Sequence, residues 1–277
     1  MAILEIEHLG KTYGAGEKAT HAVGDVTFSV EDGEFVCVVG PSGCGKTTLL
    51  KCVAGLLPPS RGEVRLRGRR VTEPPEQLAL VFQEYSRSLM PWLSVRNNVL
   101  LPLRHKRLGR GERGRLVEES LESVGLTRFI DHYPWQLSGG MQQRVAIARA
   151  LAYQPSVLLM DEPFASVDAQ TRGDLEDLIL QVRDEYGITI LFVTHDIDES
   201  VYLADNVVVL THSPTEVKDT VPVDLPKPRD QIATKELADF MQLRAHVYRL
   251  IKREHAPDEA ADAEELAGDV PHTGTPV

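Results

Sequence analysis

The residues GPSGCGKT at positions 40–47 decide the fold of this 277-residue chain. They follow the apolar run EFVCVV at 34–39, which predicts a strand buried on both faces of a parallel sheet. They precede residues 48–54, for which we predict a helix. A GxxxxGK[ST] loop in this context is typical of phosphate binding, because glycines let successive backbone N–H groups surround an anion at the helix N-terminus. A glycine-rich turn without a ligand is the alternative, and the strand and helix on either side disfavour it.

The loop offers separate groups to phosphates and to a metal ion. Lys46 is expected to reach the β- and γ-phosphates of ATP, and the Thr47 hydroxyl to ligate Mg²⁺. The complete set of predicted nucleotide-binding residues in this segment is Gly40, Pro41, Ser42, Gly43, Cys44, Gly45, Lys46, Thr47 and Thr48. A helix N-terminus lowers the pKa of a nearby thiol, which predicts a reactive Cys44 that bound ATP protects. An unreactive small residue is the alternative at that position.

A second segment, VLLMDE at 157–162, supplies two carboxylates at the end of an apolar run. Open α/β sheets bind ligands at the carboxyl ends of their strands, so both side chains are expected near the phosphate loop. We predict that Asp161 holds Mg²⁺ and that Glu162 accepts the proton of an attacking water. Alone, an apolar run before Asp-Glu is weak evidence, and a strand with a polar turn would explain it. After a phosphate loop, it predicts a site of nucleotide hydrolysis.

The remaining pattern predicts a doubly wound α/β core. Residues 3–6 and 23–30 alternate between apolar and polar, which predicts antiparallel strands at the N-terminus. The runs at 157–160 and 188–193 resemble the run before the phosphate loop, and helical patterns separate these runs.

The domain boundaries follow from changes in pattern. Residues 84–152 show no strand signal and predict a helical insertion within one domain over 1–254. A C-terminal extension is expected at about 213–254. Residues 255–277 are acidic and poor in large apolar side chains, which predicts a disordered tail.

Composition narrows the class of protein. No apolar run is long enough to span a bilayer, and the N-terminus lacks a secretory signal pattern, so a cytosolic protein is expected.

The net charge is −11, of which the tail supplies −6, so the protein is not an obvious nucleic-acid binder. Basic stretches at 61–70 and 104–115 could contact nucleic acid or lipid headgroups, but solvated faces are the favoured interpretation. The three cysteines lack the spacing of zinc ligands and predict free thiols.

The segment LSGGM at 137–141, followed by QQR, resembles the signature of ABC ATPases. Ser138, Gly139 and Gly140 begin an alanine-rich helix whose N–H groups can bind an anion. A capped helix with no ligand is the alternative. In the family that this segment resembles, the signature of one subunit closes on the ATP of the other, which implies a partner that is a second copy of this chain. The resemblance also implies a P-loop NTPase (RecA-like) core with an N-terminal antiparallel β subdomain and an inserted α-helical subdomain.

Four further positions are similar to motifs of that family. Tyr13 resembles the aromatic residue that stacks on adenine, and Gln83 resembles the glutamine that reaches Mg²⁺ and the attacking water. Asp168 resembles the aspartate that crosses the dimer. His195 resembles the switch histidine that contacts the γ-phosphate. The resemblance therefore implies catalytic roles for Glu162, His195 and Gln83, with Mg²⁺ held by Thr47, Gln83 and Asp161.

Further phrases are similar to the ATPases of nitrate, sulfonate and taurine importers, among them PWL at 91–93 and VDLPKPR at 223–229. This implies permease subunits as partners, a solute-binding protein acting indirectly, and a place on the cytoplasmic face of the cell membrane. Residues 85–90 are about two longer than in many members, at the segment where a permease should dock. A non-transport ABC ATPase of DNA repair or translation is the alternative, which one cassette without a long coiled coil disfavours.

Overall fold

The computed structural model describes residues 1–83 and 88–252, apart from the side chain of Glu17. The strands are β1 (Ala2–Tyr13), β2 (Thr20–Glu31), β3 (Phe35–Val39), β4 (Arg61–Leu66), β5 (Arg69–Arg70), β6 (Leu78–Val81), β7 (Val157–Asp161), β8 (Thr189–Val193), β9 (Asn206–Leu210) and β10 (Thr215–Pro222). The α-helices are α1 (Lys46–Val53), α2 (Val95–Leu100), α3 (Arg110–Ser123), α4 (Gly139–Ala152), α5 (Ala169–Tyr186), α6 (Ile197–Leu203) and α7 (Ala238–Lys252). Short 3-10 turns lie at Gly16–Lys18, Leu101–His105, Thr127–Phe129 and Pro134–Gln136.

All ten strands form one sheet in the order β5-β4-β1-β2-β10-β9-β3-β8-β7-β6. The five strands from β9 to β6 are parallel. At the other end, β1 pairs antiparallel with β2 and with β4. Strand β10 joins the two parts, because it runs antiparallel to β9 and parallel to β2. The predicted α/β core with an N-terminal antiparallel part is confirmed.

Strand β3 shows why the continuous apolar run before the phosphate loop was needed. Side chains alternate across a strand. Phe35, Cys37 and Val39 pack into a core with α2 to α7, while Val36 and Val38 pack into a second core with α1 and the N-terminal strands. All five are fully buried, so neither face of this strand could carry a polar residue.

The helical pattern predicted for 84–152 is present in its described part, 88–152, which holds α2, α3, α4 and three 3-10 turns and no strand. Buried Val117 and Leu121 form the inner face of α3, as their spacing predicts. Buried Asn98 donates from Nδ2 to the carbonyl oxygens of Met90 (3.1 Å) and Leu93 (3.0 Å), which fixes the entry into α2. Residues 84–87 lie outside the described part, and with them the first half, 85–87, of the segment thought to be two residues longer than usual.

The C-terminal extension is held to the core by an ion pair as well as by packing. Lys227 Nζ lies 2.6 Å from Asp205 Oδ1, and Asp205 Oδ2 accepts the backbone N–H of Phe35 at the start of β3. Burial alone would raise the pKa of Asp205, but these contacts with Lys227 and Phe35 hold it below its ordinary value. Helix α7 then packs on α6 and β9. The domain boundaries stay predictions, and the acidic tail at 255–277 lies outside the described residues.

The basic stretch at 61–70 lies on a half-exposed strand, as predicted. Arg65 and Arg70 both form ion pairs with Glu63, and Val64 and Leu66 point into the core. These contacts fit the interpretation of a solvated protein face.

Candidate nucleotide-binding and hydrolysis site

The phosphate loop leaves β3 and enters α1 through a backbone turn that only glycine accommodates. Gly45 stands at the N-cap of α1 with φ +101°, in the left-handed region that L side chains avoid. A Cβ at this position would lie 2.4 Å from the carbonyl oxygen of Ala22 in β2. The sequence requirement for glycine is therefore both conformational and steric.

The loop is fixed from its inner side. Lys46 is only 6% exposed, and its ammonium donates to the carbonyl oxygens of Gly40 (2.8 Å) and Pro41 (2.9 Å). The buried Thr215 hydroxyl donates to the carbonyl oxygen of Cys44, and it lies 3.2 Å from that of Ala22. Sequence analysis missed Thr215, because it stands 171 residues from its partner and no local pattern marks such a contact.

Thr47 and Asp161 meet where the loop faces the end of β7. The Thr47 hydroxyl donates to Asp161 Oδ1 over 3.2 Å. Burial raises the pKa of Asp161, and the neighbouring Glu162 adds to this rise, while the Thr47 bond opposes it. A buried carboxylate beside a hydroxyl supplies the hard oxygen donors that Mg²⁺ prefers, so these two residues fit the ion.

Two of the predicted catalytic residues, Gln83 and His195, contact the third, Glu162. Its Oε2 accepts a hydrogen bond from Gln83 Nε2 (3.2 Å) and lies 3.0 Å from His195 Nδ1. Its backbone has φ +43°, which is unusual for a residue with a side chain, and its N–H donates to the carbonyl of Val193 over 2.8 Å. Strained backbone of this kind concentrates at functional sites. Residues from the ends of β6, β7 and β8 thus converge as the strand-end rule predicts.

In the described part of the chain, the side-chain hydrogen bond of the signature is local. Ser138 caps α4, accepting the N–H of Met141 at 3.3 Å, and both Ser138 and Gly139 are exposed. Gly140 is buried against α5, where a Cβ would lie 2.3 Å from Thr171 Cγ2. The glycine at this position therefore lets two helices approach closely.

Asp168 caps the next helix in the same way. It accepts hydrogen bonds from the N–H (3.0 Å) and the hydroxyl (2.7 Å) of Thr171, and the first of these is the main reason that its pKa is lowered. Gly140 of the signature and Asp168 both contact Thr171, so the signature and Asp168 are neighbours. Neither is hydrogen-bonded to the phosphate loop in the described residues.

Tyr13 lies at the end of β1 beside the loop. Its ring is 43% exposed, and its hydroxyl lies 3.4 Å from Thr48 Oγ1. Lys11 Nζ sits 5.5 Å from the ring centroid. The exposed ring beside α1 is compatible with stacking on a base, and that role stays a prediction.

The prediction of a reactive Cys44 is wrong. The side chain is 1% exposed and packs into the core beneath the loop. Burial raises the pKa of the thiol, and this outweighs the opposing effect of Lys46. The backbone N–H of Lys46, the first residue of α1, does hydrogen-bond the thiol and lowers its pKa, but burial has the larger effect.

A phosphate loop, a strand-end pair of carboxylates and a histidine one strand away define the class as a P-loop nucleotide hydrolase. The family model described as "ABC transporter" matches residues 23–165. An uncharacterized ABC transporter ATP-binding protein of Methanocaldococcus jannaschii is 44% identical over 251 residues, covering 91% of this chain and 92% of its own length. The chain therefore belongs to the ABC transporter family, as one of its ATP-binding proteins, and it is an ATPase.

Two relatives carry more specific names. The nitrate import ATP-binding protein NrtD of Synechococcus elongatus is 42% identical over 259 residues, covering 92% of this chain and 94% of its own. The bicarbonate transport ATP-binding protein CmpD of a Synechocystis strain is 38% identical over 263 residues, covering 94% and 93%. The chain also matches the nitrate import ATP-binding protein NrtC of S. elongatus, of which it spans 38% of the length.

Solved structures agree with this assignment. The dimeric cassette MJ0796 bound to ADP and Pi superposes with a TM-score of 0.69 at 33% identity, over 79% of this chain and 98% of the other. CbiO1 of Clostridium perfringens, described as part of the transporter complex cbiONQ, gives a TM-score of 0.72 at 30% identity, over 80% and 88%. None of the helices that the structure describes has the length and apolar character needed to cross a bilayer.

Proposed function

We propose that this chain hydrolyses ATP at the loop of 40–47, with Glu162 as the base that activates water. The observation that carries the proposal is the convergence of Gln83 and His195 on one carboxylate oxygen of Glu162, beside the Thr47–Asp161 pair. A carboxylate held by two side chains has a defined position from which to accept a proton. Gln83 and His195 would also orient the water and the γ-phosphate.

The phosphate loop would change partners when ATP binds. Lys46 now donates to two loop carbonyls, and the same ammonium would donate to the β- and γ-phosphates when they enter. Backbone N–H groups from 40 to 48 would surround the phosphates, and Tyr13 would stack on adenine. We assign Mg²⁺ to Thr47, Asp161 and Gln83, where the ion would neutralise charge on the phosphates.

A second copy of this chain would complete the site. Ser138 and Gly139 present an exposed helix N-terminus, a favourable place for the phosphates of an ATP bound to another subunit. Gly140 brings this segment onto α5, and Asp168 begins that helix, so both would reach the partner together. The existence of dimeric cassettes among the structural relatives supports this arrangement.

We assign the hydrolysis to import of a small anion. The nitrate and bicarbonate transport proteins among the relatives support an inorganic anion of similar size, and the sequence phrases add sulfonate or taurine as candidates. Permease subunits would bind the chain at the cytoplasmic face of the cell membrane, and a solute-binding protein would deliver the anion. Relatives named for transport favour this over DNA repair or translation.

The enzymatic part of the proposal is tested by Glu162→Gln. Glutamine keeps the shape but cannot accept a proton, so the ATPase rate should fall by ~10²–10⁴-fold while ATP still binds. Glu185→Gln, at an exposed carboxylate of α5, is the matched control. Measuring ATP affinity and phosphate release together separates the two steps, and a Glu162→Gln enzyme with an undiminished rate would refute the assignment of the base.

The transport part needs a separate experiment. Cells that express the intact transporter should take up labelled nitrate or bicarbonate, and replacement of the ATPase by Glu162→Gln should abolish the uptake. If Glu162→Gln abolishes the uptake of neither nitrate nor bicarbonate, import of this class of anion is contradicted.

A further inference from the structure

His195 has little of its own to hold it in place. Its side chain is 57% exposed, and its one hydrogen-bond partner in the described residues is Glu162, the group it is proposed to work beside. Its position must therefore come from the backbone on either side. Before it, Thr194 is anchored to the sheet, with its N–H donating to the carbonyl of Val38 over 3.2 Å.

After it, the anchor is Asp196. Asp196 Oδ2 forms an ion pair with Arg172 Nη1 over 2.9 Å, and Oδ1 accepts the N–H of Glu199 as the cap of α6. The Asp196 N–H donates in turn to the Thr194 hydroxyl at 3.0 Å. Both oxygens of this one carboxylate are used, so its side chain fixes the chain on the far side of His195.

Arg172 connects this anchor to Asp168. It stands one turn into α5, and its N–H donates to the Asp168 carbonyl over 2.9 Å. A small cavity beneath the site is lined by Glu162, Arg172, Thr194, His195, Asp196 and Glu199. Arg172 thus touches the start of α5 and the catalytic strand ends at once.

Glu199 forms the floor of this arrangement. Its side chain is 4% exposed and lies near Glu176 and Asp196, two like charges. Burial raises its pKa to about 8, so the group is neutral at pH 7. Asp196 therefore keeps Arg172 as its ion-pair partner, and the neighbouring Glu199 adds no charge to this cluster at pH 7.

We infer that Arg172 and Asp196 are positioning residues, whose ion pair holds His195 against Glu162 and ties that position to the turn at Asp168. This inference rests on the proposed function of His195 and Glu162. It adds two residues that are not among the motif residues named above. A change at the start of α5, such as docking of a second copy on Asp168, would reach His195 through this pair.

The experiment uses Arg172→Met, Asp196→Asn and the double variant in the full-length chain. Asparagine remains a good helix cap, so Asp196→Asn removes charge while keeping the start of α6. We expect each single variant to lower kcat by about 10–100-fold, the range that a small misplacement of catalytic groups produces, with the KM for ATP nearly unchanged. The double variant should be no slower than the slower single, because both remove the same interaction.

Two further variants control for nonspecific effects of removing an arginine and for the loss of charge at position 172. Arg115→Met removes an exposed arginine paired with Glu119 on α3 and should leave kcat unchanged. Arg172→Lys keeps the charge and should recover part of the rate. Thermal melting of every variant shows whether the fold is retained.

Three outcomes would overturn the inference. The first is an unchanged kcat in Arg172→Met and Asp196→Asn. The second is a loss of kcat in the double variant that equals the sum of the two single losses in free energy. The third is a KM for ATP that rises by the same factor as kcat falls. His195→Ala separates this from failure of the proposed function. If His195→Ala is itself fully active, the assignment of His195 is wrong; if it is inactive while Arg172→Met is active, only the positioning inference fails.

Discussion

The two parts of the proposed ATP site are built in opposite ways. The phosphate-loop half, made of 40–47 with Asp161, Glu162 and His195, rests on the sheet, and its buried groups contact one another. The signature half, made of 138–140 with Asp168, presents capped helix ends that are mostly exposed to solvent. Among the described residues, the side chains of Ser138 and Asp168 hydrogen-bond only to the helices that they begin.

This difference separates what one chain can do from what needs two. In the first half, the groups proposed to bind the phosphates, the metal ion and the water are held by hydrogen bonds within the chain. The second half presents exposed N–H donors at a helix N-terminus, and in the described residues it does not hydrogen-bond its own chain's phosphate loop. Under the proposed function another copy completes the site, so substitutions in the two halves should have different consequences.

The largest expected change in stability concerns Glu199, a buried carboxyl group of α6 beside the phosphate-loop half. Burial raises the pKa of Glu199 from 4.5 to about 8, so between these values the folded state binds more protons than the unfolded state. The free energy of unfolding then falls as pH rises through this window and is flat above it. Glu199→Gln lacks this loss and should be more stable than the parent by as much as ~5 kcal/mol above pH 8, and similar to it near pH 4.5.

Chemical denaturation at both pH values measures this difference. Glu185→Gln, an exposed carboxylate, should track the parent at both. An equal effect of Glu199→Gln at the two pH values would show that Glu199 does not titrate in this window.

The next prediction compares the halves directly through ATP affinity. Lys46→Met should weaken binding of ATP to the single chain by about 10–100-fold, because hydrogen bonds to charged groups contribute about 1.5–3 kcal/mol. Ser138→Arg should leave this affinity unchanged, since Ser138 is proposed to meet the other subunit's ATP. Calorimetric titration at low protein concentration measures both, and equal losses would show that the two halves act on one nucleotide within the chain.

Much of the site could be predicted from the sequence because it is local. Strands β3, β7 and β8 were marked by continuous apolar runs, and each ends in a group that the strand-end rule brings to one edge. Strands β6 and β9 were not predicted. The Arg172–Asp196 pair was missed, because a contact across 24 residues leaves no periodic signal.

The error at Cys44 has a different origin. The pattern placed its backbone correctly in the loop but could not say which way its side chain turns. Electrostatic reasoning from the helix N-terminus assumed an exposed thiol, and burial in the core reversed the sign of the pKa shift.

The smallest expected effect concerns the signature half alone. Ser138→Ala removes the cap of α4 and should lower the free energy of unfolding by about 1 kcal/mol. Thermal or chemical melting without nucleotide measures it. A much larger loss would mean that Ser138 has a structural role beyond the single hydrogen bond to Met141.

The central claim is that two copies share ATP, and light scattering of Glu162→Gln tests it most directly. Without nucleotide this variant should have the mass of one chain, and with saturating ATP and Mg²⁺ it should have the mass of two, because bound ATP persists. Adding Ser138→Arg should return it to one chain, since bulk and charge then stand at the second contact. A Glu162→Gln protein that stays monomeric at saturating ATP, or a dimer that Ser138→Arg leaves intact, would contradict the account.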